Sequence, residues 1–562
     1  MACDLGTAAQ ALLEQQDVPL DDLDASGATP KQAGRVVIRR SLFGRRYVAV
    51  YDYVRKNDLL LSLGLLELAN ATDFAANAWN VTPPPTISVI FMVLGGSTAL
   101  LILAFACRDL PRTWRNIVLL RQERRSLRWR QAQLVAGPDE VSEGGLTERD
   151  ILVYSDLNTR ELGNEVVDRL AMGLALGFGA FTVGIGTYLA IAGADPRAFL
   201  ASNILTGYLG NVPAAMYGLS NTAWCVYGWR RAQAHSNAAE VIIPSDSTWT
   251  KQVDIVELLR MREGRVKTHA IINGWSGILG GAGSLVTASA YIHPRAVWGY
   301  LILIPCIISA VFANLMWRYR INYDRRITQP EALNASELLS EVGYAALGER
   351  LVLQYCHSIR KPRVPWPWRR DCQDRPTSKE KLPAFLSAYA ELTAQHLKAA
   401  RDNITQPIEE AAGGETITSA HDMVSRHELQ TMDQRVNIAE LHTAKLAGPC
   451  VRHNDKVTTR DLTLGLIALL EDLGVLPSLL ARLTNNAATA RALGRDHRPA
   501  AELSSAGIKA FKHRLMECGD DGAEDVQRTC LEVLMSEGRQ AASSRTRYLL
   551  ELVGCYFQER TA

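Results

Sequence analysis

The chain contains 562 residues, of which 47% are apolar and 21% are charged, and its formal net charge is +2. This composition is that of a globular protein rather than of a disordered chain, and the length allows more than one domain. The ten cysteines include no Cys-x-x-Cys pair, so the sequence supports neither a structural zinc site nor a disulfide framework.

The N-terminal residues 1–34 are acidic and rich in small residues, and they lack the apolar core of a signal peptide. We therefore expect a disordered tail there. Residues 35–57 are basic and carry several aromatic side chains. This pattern indicates a juxtamembrane segment that contacts anionic lipid head groups.

Six apolar stretches between 58 and 318 are candidates for transmembrane helices, because about 20 mostly apolar residues are needed to cross the roughly 30 Å hydrocarbon layer. Five of them qualify by length and composition, namely 86–107, 170–192, 199–229, 268–292 and 296–317. The sixth, 58–79, contains seven leucines but also Glu67 and Asp73. Each carboxylate costs about 2.5–3.5 kcal/mol and each leucine returns about 0.5, so hydropathy alone does not decide this stretch.

The distribution of basic residues decides it. Segments 1–57, 108–168 and 230–267 hold 25 lysines and arginines, whereas the short connections between paired stretches hold only Arg197 and Arg295. If 58–79 also spans, all 25 lie on one side, as the positive-inside rule expects. The sequence therefore predicts an all-α six-helix transmembrane bundle with both termini cytosolic and 319–562 as a cytosolic helical domain.

The second and third helix pairs resemble each other. Pro196-Arg197-Ala198 and Pro294-Arg295-Ala296 form their turns, and both pairs end in Trp-Arg. This similarity predicts a parallel repeat. The same helices carry small residues four apart, which allow close helix packing. The predicted packing positions are Gly173, Gly177, Gly184, Gly277 and Gly281.

The first stretch carries a polar stripe. At about 100° per residue, four polar side chains fall within an arc of roughly 120°. They are Glu67, Asn70, Asp73 and Asn77. Such residues inside a membrane favour a cation-binding or proton-relay site. The alternative is a polar seam that only holds the first helix against its neighbours.

The stretch 199–229 is longer than its counterpart and contains Asn211-Val212-Pro213. Proline removes a backbone donor and disfavours helical geometry at the residue before it. The sequence thus predicts either a broken helix, whose freed backbone groups bind a ligand, or an ordinary proline kink.

The segment that follows the second stretch is strongly basic. Its arginines alternate with tryptophan and aliphatic residues, as in a helix that lies on anionic lipid. A voltage sensor is disfavoured because Gln122 and Glu123 interrupt the series, and nucleic-acid binding is not expected beside membrane helices. The predicted lipid contacts are Arg112, Arg115, Arg121, Arg124, Arg125, Arg128 and Arg130.

The part 319–562 shows the apolar spacing of several short amphipathic helices, with a linker rich in proline and tryptophan at 361–381. It fits a bundle or a solenoid-like domain that binds a protein partner through 331–562. No catalytic motif, metal site or cofactor site is recognised. The leading hypothesis is a multi-pass membrane anchor for this domain. A small-solute or ion transporter is the alternative, and an intramembrane enzyme is the third and least favoured.

Overall fold

The computed structural model describes the chain in eleven ranges together with Leu68 and Thr72. The ranges are 36–40, 47–51, 54–55, 84–136, 146–242, 253–288, 298–327, 330–359, 378–412, 458–485 and 520–561. These residues are almost entirely helical, which confirms the all-α class. The predicted tail 1–34 and nearly all of the stretch 58–79 lie outside the described residues.

Among the residues that the structure describes, four short strands depart from the helical pattern. Strand β1 (Val36–Arg40) pairs antiparallel with β2 (Tyr47–Tyr51), and β3 (Val54–Arg55) pairs with β4 (Arg325–Arg326). The runs of β-branched residues in the first two strands favour this conformation. The described parts of 35–57 are thus extended, and Arg55 is buried, so this segment is not simply a basic surface against lipid.

The first half of the chain forms long helices. They are α1 (Thr86–Ala136), α2 (Glu148–Gly163), α3 (Met172–Ile191), α4 (Pro196–Asn203), α5 (Gly210–Ile242), α6 (Ile255–Ala288) and α7 (Gly299–Met316). Short π-helical segments connect α2 to α3 (Asn164–Ala171), connect α4 to α5 (Ile204–Leu209) and extend α7 (Trp317–Ile321). We call the apolar parts of α1 and α3–α7 the apolar bundle.

Three helices of the described chain are long and apolar enough to cross a membrane: Thr86–Val135, Glu148–Ile191 and Gly299–Ile321. They contain the predicted span 86–107 and most of 170–192 and 296–317. The predicted spans 199–229 and 268–292 are helical over their described residues, but they are not among these three. The described residues thus support three of the six spans.

The connections 108–168 and 230–267, predicted as loops, are instead mostly helical where the structure describes them. Helix α1 is 51 residues long and continues through Pro111. At 1.5 Å per residue it measures roughly 75 Å, more than twice the thickness of a hydrocarbon layer. The charged segments therefore project from the apolar bundle as continuous extensions of its helices, because arginine, glutamate and leucine are all good helix formers.

Local capping signals set several helix starts. Thr147 and Asp150 form a reciprocal capping box at the start of α2. The side chain of Asp195 caps α4, whose first residue is Pro196. These caps satisfy backbone donors that a helix N-terminus leaves free.

The C-terminal part contains helices α8 (Ala335–Ile359), α9 (Ser378–Ala412), α10 (Thr459–Asp472), α11 (Leu476–Asn485), α12 (Asp520–Val533) and α13 (Arg539–Thr561), with a π-helical segment at Leu534–Gly538. Helices α8–α12 share one apolar core, so the described helices form a bundle rather than a solenoid. A second core joins α8 and α13 to α2, α5 and α6. This core crosses the boundary predicted at 318/319, and the C-terminal helices therefore pack directly on the helix extensions.

Candidate functional site

A polar stripe runs along α2 and the π-helical segment after it. Asn158, Glu161, Glu165 and Arg169 recur at spacings of three or four residues and therefore share one helix face. All four side chains are buried, with exposed fractions of 0–5%. Their partners come from distant parts of the chain.

Seven buried charged side chains, three of them from this stripe, form what we call the strand cluster: Arg55, Asp109, Glu123, Glu161, Glu165, Arg169 and Arg325. Arg325 of β4 donates to both carboxylate oxygens of Glu123 at 2.7 Å and to Glu161 at 2.7 Å. Such two-pronged arginine–carboxylate bonds are strong and geometrically specific. They fix the chain after α7 against α1 and α2.

The same cluster continues toward the apolar bundle. Arg55 of β3 lies 3.1 Å from Glu161 and 3.2 Å from Glu165. Arg169 donates to both oxygens of Asp109, at 3.0 and 2.9 Å, and to Glu165 at 3.0 Å. Burying single charges would be very costly, but each of these has an opposite charge within contact distance. The cluster thus joins the short β3–β4 pair to two helices of the bundle.

A second group, which we call the Glu551 cluster, lies beside it: Asp156, Arg160, Arg231, Arg262, Glu263 and Glu551. Glu551 of α13 pairs with Arg160 of α2, Arg231 of α5 and Arg262 of α6. Burial opposes ionisation of Glu551, but the three guanidinium groups outweigh it and hold the pKa of this carboxyl well below its usual value. A single carboxylate therefore ties the last helix to three others.

A polar cavity of about 60 Å³ lies next to the strand cluster, where α5, α6 and α7 meet the start of α3. Arg55 and Asn322 line its end nearest the strands. Its remaining polar lining comes from the bundle helices and the π-helical segment: Asn164, Glu165, Asp168, Arg169, Tyr217, His269, Asn273, Asn314 and Trp317. By contrast, Met172 and Ala310 are the apolar lining residues.

Several polar groups of the cavity lining already have partners. Asn164 Oδ1 accepts a hydrogen bond from the Trp224 indole at 3.0 Å, and the amide of Asn273 donates to Asn221 at 3.3 Å. The rings of His269 and Trp317 lie 5.0 Å apart. Two acceptors differ from these, because Oδ1 of Asp168 and Oδ1 of Asn314 are buried without a hydrogen-bond partner.

Asp156, His235 and Cys555 bring potential metal-ligand atoms within 4.8 Å of one another. The guanidinium of Arg231 already bridges two of them, since its Nη2 lies 2.7 Å from Asp156 and 2.9 Å from Cys555. A metal ion at this point would meet a fixed positive charge. These three residues therefore surround Arg231 of the Glu551 cluster and do not make a convincing metal site.

The residues predicted from the sequence are only partly brought together. The predicted site on the first stretch, Glu67, Asn70, Asp73 and Asn77, lies outside the described residues. The helix continues through Pro213, and Asn211 donates to the Thr206 carbonyl at 2.9 Å. The predicted break is thus a π-helical distortion just before Gly210, because the Asn211 side chain supplies a donor to the backbone there.

The predicted packing glycines occupy different environments. A Cβ at Gly277 would lie 3.1 Å from the Gly218 carbonyl oxygen, and one at Gly281 would lie 3.1 Å from Ala215. Gly184 faces Leu100 and Gly96 of α1, while Gly177 makes only an ordinary contact and Gly173 meets nothing within 4 Å. Close backbone approach therefore occurs chiefly between α5 and α6 and between α1 and α3.

The predicted lipid-binding arginines lie on the extension of α1. Arg112, Arg121, Arg125 and Arg128 are exposed, and Arg115, Arg124 and Arg130 are half-buried. Arg124 donates to Thr159 of α2 at 3.3 Å. Because α1 is continuous, Arg130 lies roughly 27 Å along the helix axis from Arg112. Lipid contact by these seven arginines stays a prediction.

The cavity residues Asp168, Asn273 and Asn314 and the carboxylate Glu551 were missed at the level of sequence. The spacing of Asn158, Glu161, Glu165 and Asp168 on one helix face was a usable signal, of the same kind as the stripe on the first stretch. Comparison of the chain with protein-family models, with curated proteins and with solved structures found no match. The function is therefore inferred from the site itself.

Proposed function

We propose that the chain is a six-span membrane protein that binds and conducts a small polar solute at the polar cavity. The observation that carries this proposal is a polar cavity at one end of the apolar bundle, where Asp168, Asn273 and Asn314 lie beside the strand cluster. Ionisable and amide groups at such a position are costly, and they usually mark a solute or ion pathway. A purely structural bundle has no need of an unpaired carboxylate oxygen there.

The outer surface of α5 and α6 supports the predicted spans 199–229 and 268–292, which are not among the three helices that are long and apolar enough to cross a membrane. Met216 and Leu219 of α5 and Ile271 and Trp275 of α6 are more than half exposed. Large apolar side chains at this density are unfavourable in water and favourable against lipid. Both helices also pack against α3 or α7, so the four share one depth.

The orientation follows from the basic extensions. Under the positive-inside rule they and the C-terminal helices are cytosolic, and the cavity lies at the cytosolic end of the bundle. In this arrangement Arg55 of the strand cluster lines the cytosolic end of the cavity. Movement of the strand cluster would open or close that end.

Reconstitution into liposomes tests the proposal. Swelling in glycerol or urea gradients reports neutral solutes, and a voltage-sensitive dye reports ions. We expect permeation above that of protein-free liposomes, and a drop of about tenfold or more when Asn314→Leu fills the cavity with an apolar side chain. The matched control is Asn237→Leu, the same change at an exposed position on the α5 extension. Permeation equal to that of empty liposomes for every solute would contradict the proposal.

Protease protection tests the topology separately. Tags at both chain ends should be protected together in sealed vesicles of one orientation and digested together in the other. Digestion of one tag alone would exclude an even number of spans.

A second candidate function is that of a membrane-anchored protein-interaction domain, as the sequence first suggested. The observation that favours it is a shallow groove between α8 and α9, lined by Leu347, Arg350, Leu351, Ala388, Glu391, Leu392 and Gln395. An amphipathic helix could lie in such a groove. Affinity capture from native membranes should then lose its partner with Glu391→Lys and retain it with the exposed control Glu532→Lys.

A further inference from the structure

The chemistry of the cavity narrows the class of solute. Asp168 and Asn314 each contribute an oxygen acceptor that is buried and lacks a donor among the described residues. An unsatisfied acceptor in such a place costs free energy, and a bound ligand with positive character removes that cost. Asn273 adds a third oxygen, because its amide nitrogen is already directed to Asn221.

The charges around the cavity favour a cation. Arg55 and Arg169 lie in the lining, but each is paired with carboxylates of the strand cluster. Glu165 is likewise engaged, by both of these arginines. Asp168 is the lining carboxylate for which the described residues provide no ion pair. A bound cation would neutralise the negative charge that Asp168 carries when it is ionised.

The number of charges and the available space favour a monovalent ion. Divalent cations take six or more oxygen ligands, commonly with several carboxylates, whereas this lining offers one free carboxylate beside two fixed guanidinium groups. The cavity volume of about 60 Å³ exceeds the roughly 10–15 Å³ that one water molecule requires by the same measure, so a dehydrated ion and several water molecules fit.

We infer that the cavity binds one Na⁺ or K⁺ ion through Asp168, Asn273 and Asn314. This inference rests on the proposed function, since it names the solute class of the same cavity. The ion would also shield Asp168 from Glu165, which lies on the same helical face. Binding and conduction are separate properties, however, and each has its own measurement.

Thermal unfolding of the purified full-length protein tests the cation site. The melting temperature is measured in NaCl, KCl and choline chloride at equal ionic strength. Binding to the folded state should raise it in NaCl or KCl relative to choline, by roughly 2 °C at a hundredfold excess over the dissociation constant. Asp168→Asn and Asn314→Ala should abolish or weaken this difference, whereas Asp525→Asn, at an exposed position on α12, should preserve it.

The outcomes separate the two proposals. Equal melting temperatures in the three salts for the parent protein would overturn the cation site, whatever the variants do. A dependence on pH alone, without a difference between the salts, would assign the cavity to a proton and overturn it too. Salt-specific stabilisation without flux in liposomes would leave the cation site standing and remove the transport proposal. Flux without salt-specific stabilisation would leave the transport proposal standing and overturn the cation site.

Discussion

Replacement of Glu551 by glutamine tests directly whether its ion pairs stabilise the packing of α13 against α2, α5 and α6. The change keeps the size of the side chain and removes its charge, so Arg160, Arg231 and Arg262 lose the carboxylate that they share. Arg231 retains Asp156 and Arg262 retains Glu263, whereas Arg160 has no second carboxylate among the described ion pairs. The cost should therefore approach that of breaking one buried ion pair, about 3–5 kcal/mol.

For a chain of 562 residues, whose entropy of unfolding is about 1.2 kcal/mol per K, a loss of this size should lower the melting temperature by roughly 3–4 °C. The assay is thermal unfolding in detergent, followed by intrinsic fluorescence and by size-exclusion chromatography of heated samples. The matched control is Glu257→Gln on α6, which removes the same charge from an exposed pair with Arg260. Exposed pairs contribute little, so this variant should melt like the parent protein.

A double variant tests whether an unpaired buried charge causes this loss of stability. Removing both charges with Arg262→Gln and Glu551→Gln should cost less than the sum of the two single changes, because each single change leaves a buried charge behind. If Glu551→Gln melts like Glu257→Gln, or if the double variant shows strict additivity, the ionic link between α13 and α6 is refuted.

Two further predictions follow from the same packing. The pKa of Glu551 is opposed by burial and lowered well below its usual value by its three arginines, so its stabilising contribution is present above about pH 4.5. This contribution is lost as the pH falls through the folded-state pKa. Between pH 5 and pH 3 the melting temperature should therefore fall more steeply for the parent than for Glu551→Gln, and parallel curves would contradict this. Gly218→Ala should destabilise by about 1–3 kcal/mol, because a Cβ there lies 2.3 Å from the Gly277 carbonyl oxygen. Gly228→Ala on the same helix meets nothing within 4 Å and should stabilise by about 0.5–1 kcal/mol, so equal melting temperatures would refute the close contact.

Periodic features of the chain were predictable because they depend on neighbours in sequence. The spans 86–107 and 170–192 lie in helices that are long and apolar enough to cross a membrane. Helix α10 lies in the part predicted to form short amphipathic helices, and it begins at Thr459 because Thr458 and Asp461 form a capping box. Apolar spacing and capping residues are local signals, and the local backbone follows them.

The candidate site was not predictable in the same way, because its contacts join distant residues. Arg262 and Glu551 are separated by 289 positions, and Arg325 and Glu123 by 202. Periodicity cannot pair such residues in a single sequence. In the charge distribution, arginines such as Arg160 are only positive charges on one side of a membrane. The carboxylates on the same helix face, with which such arginines can pair, do not enter that count.

The late position of Glu551 has a consequence for biosynthesis. The 289 positions between Arg262 and Glu551 take roughly 15–60 s to translate at 5–20 residues per second. Throughout that interval Arg160, Arg231 and Arg262 have emerged without their common counterion. The nascent chain must therefore keep three guanidinium groups hydrated or shielded by a chaperone. A chain truncated before position 551 would lack the carboxylate that these three guanidinium groups share.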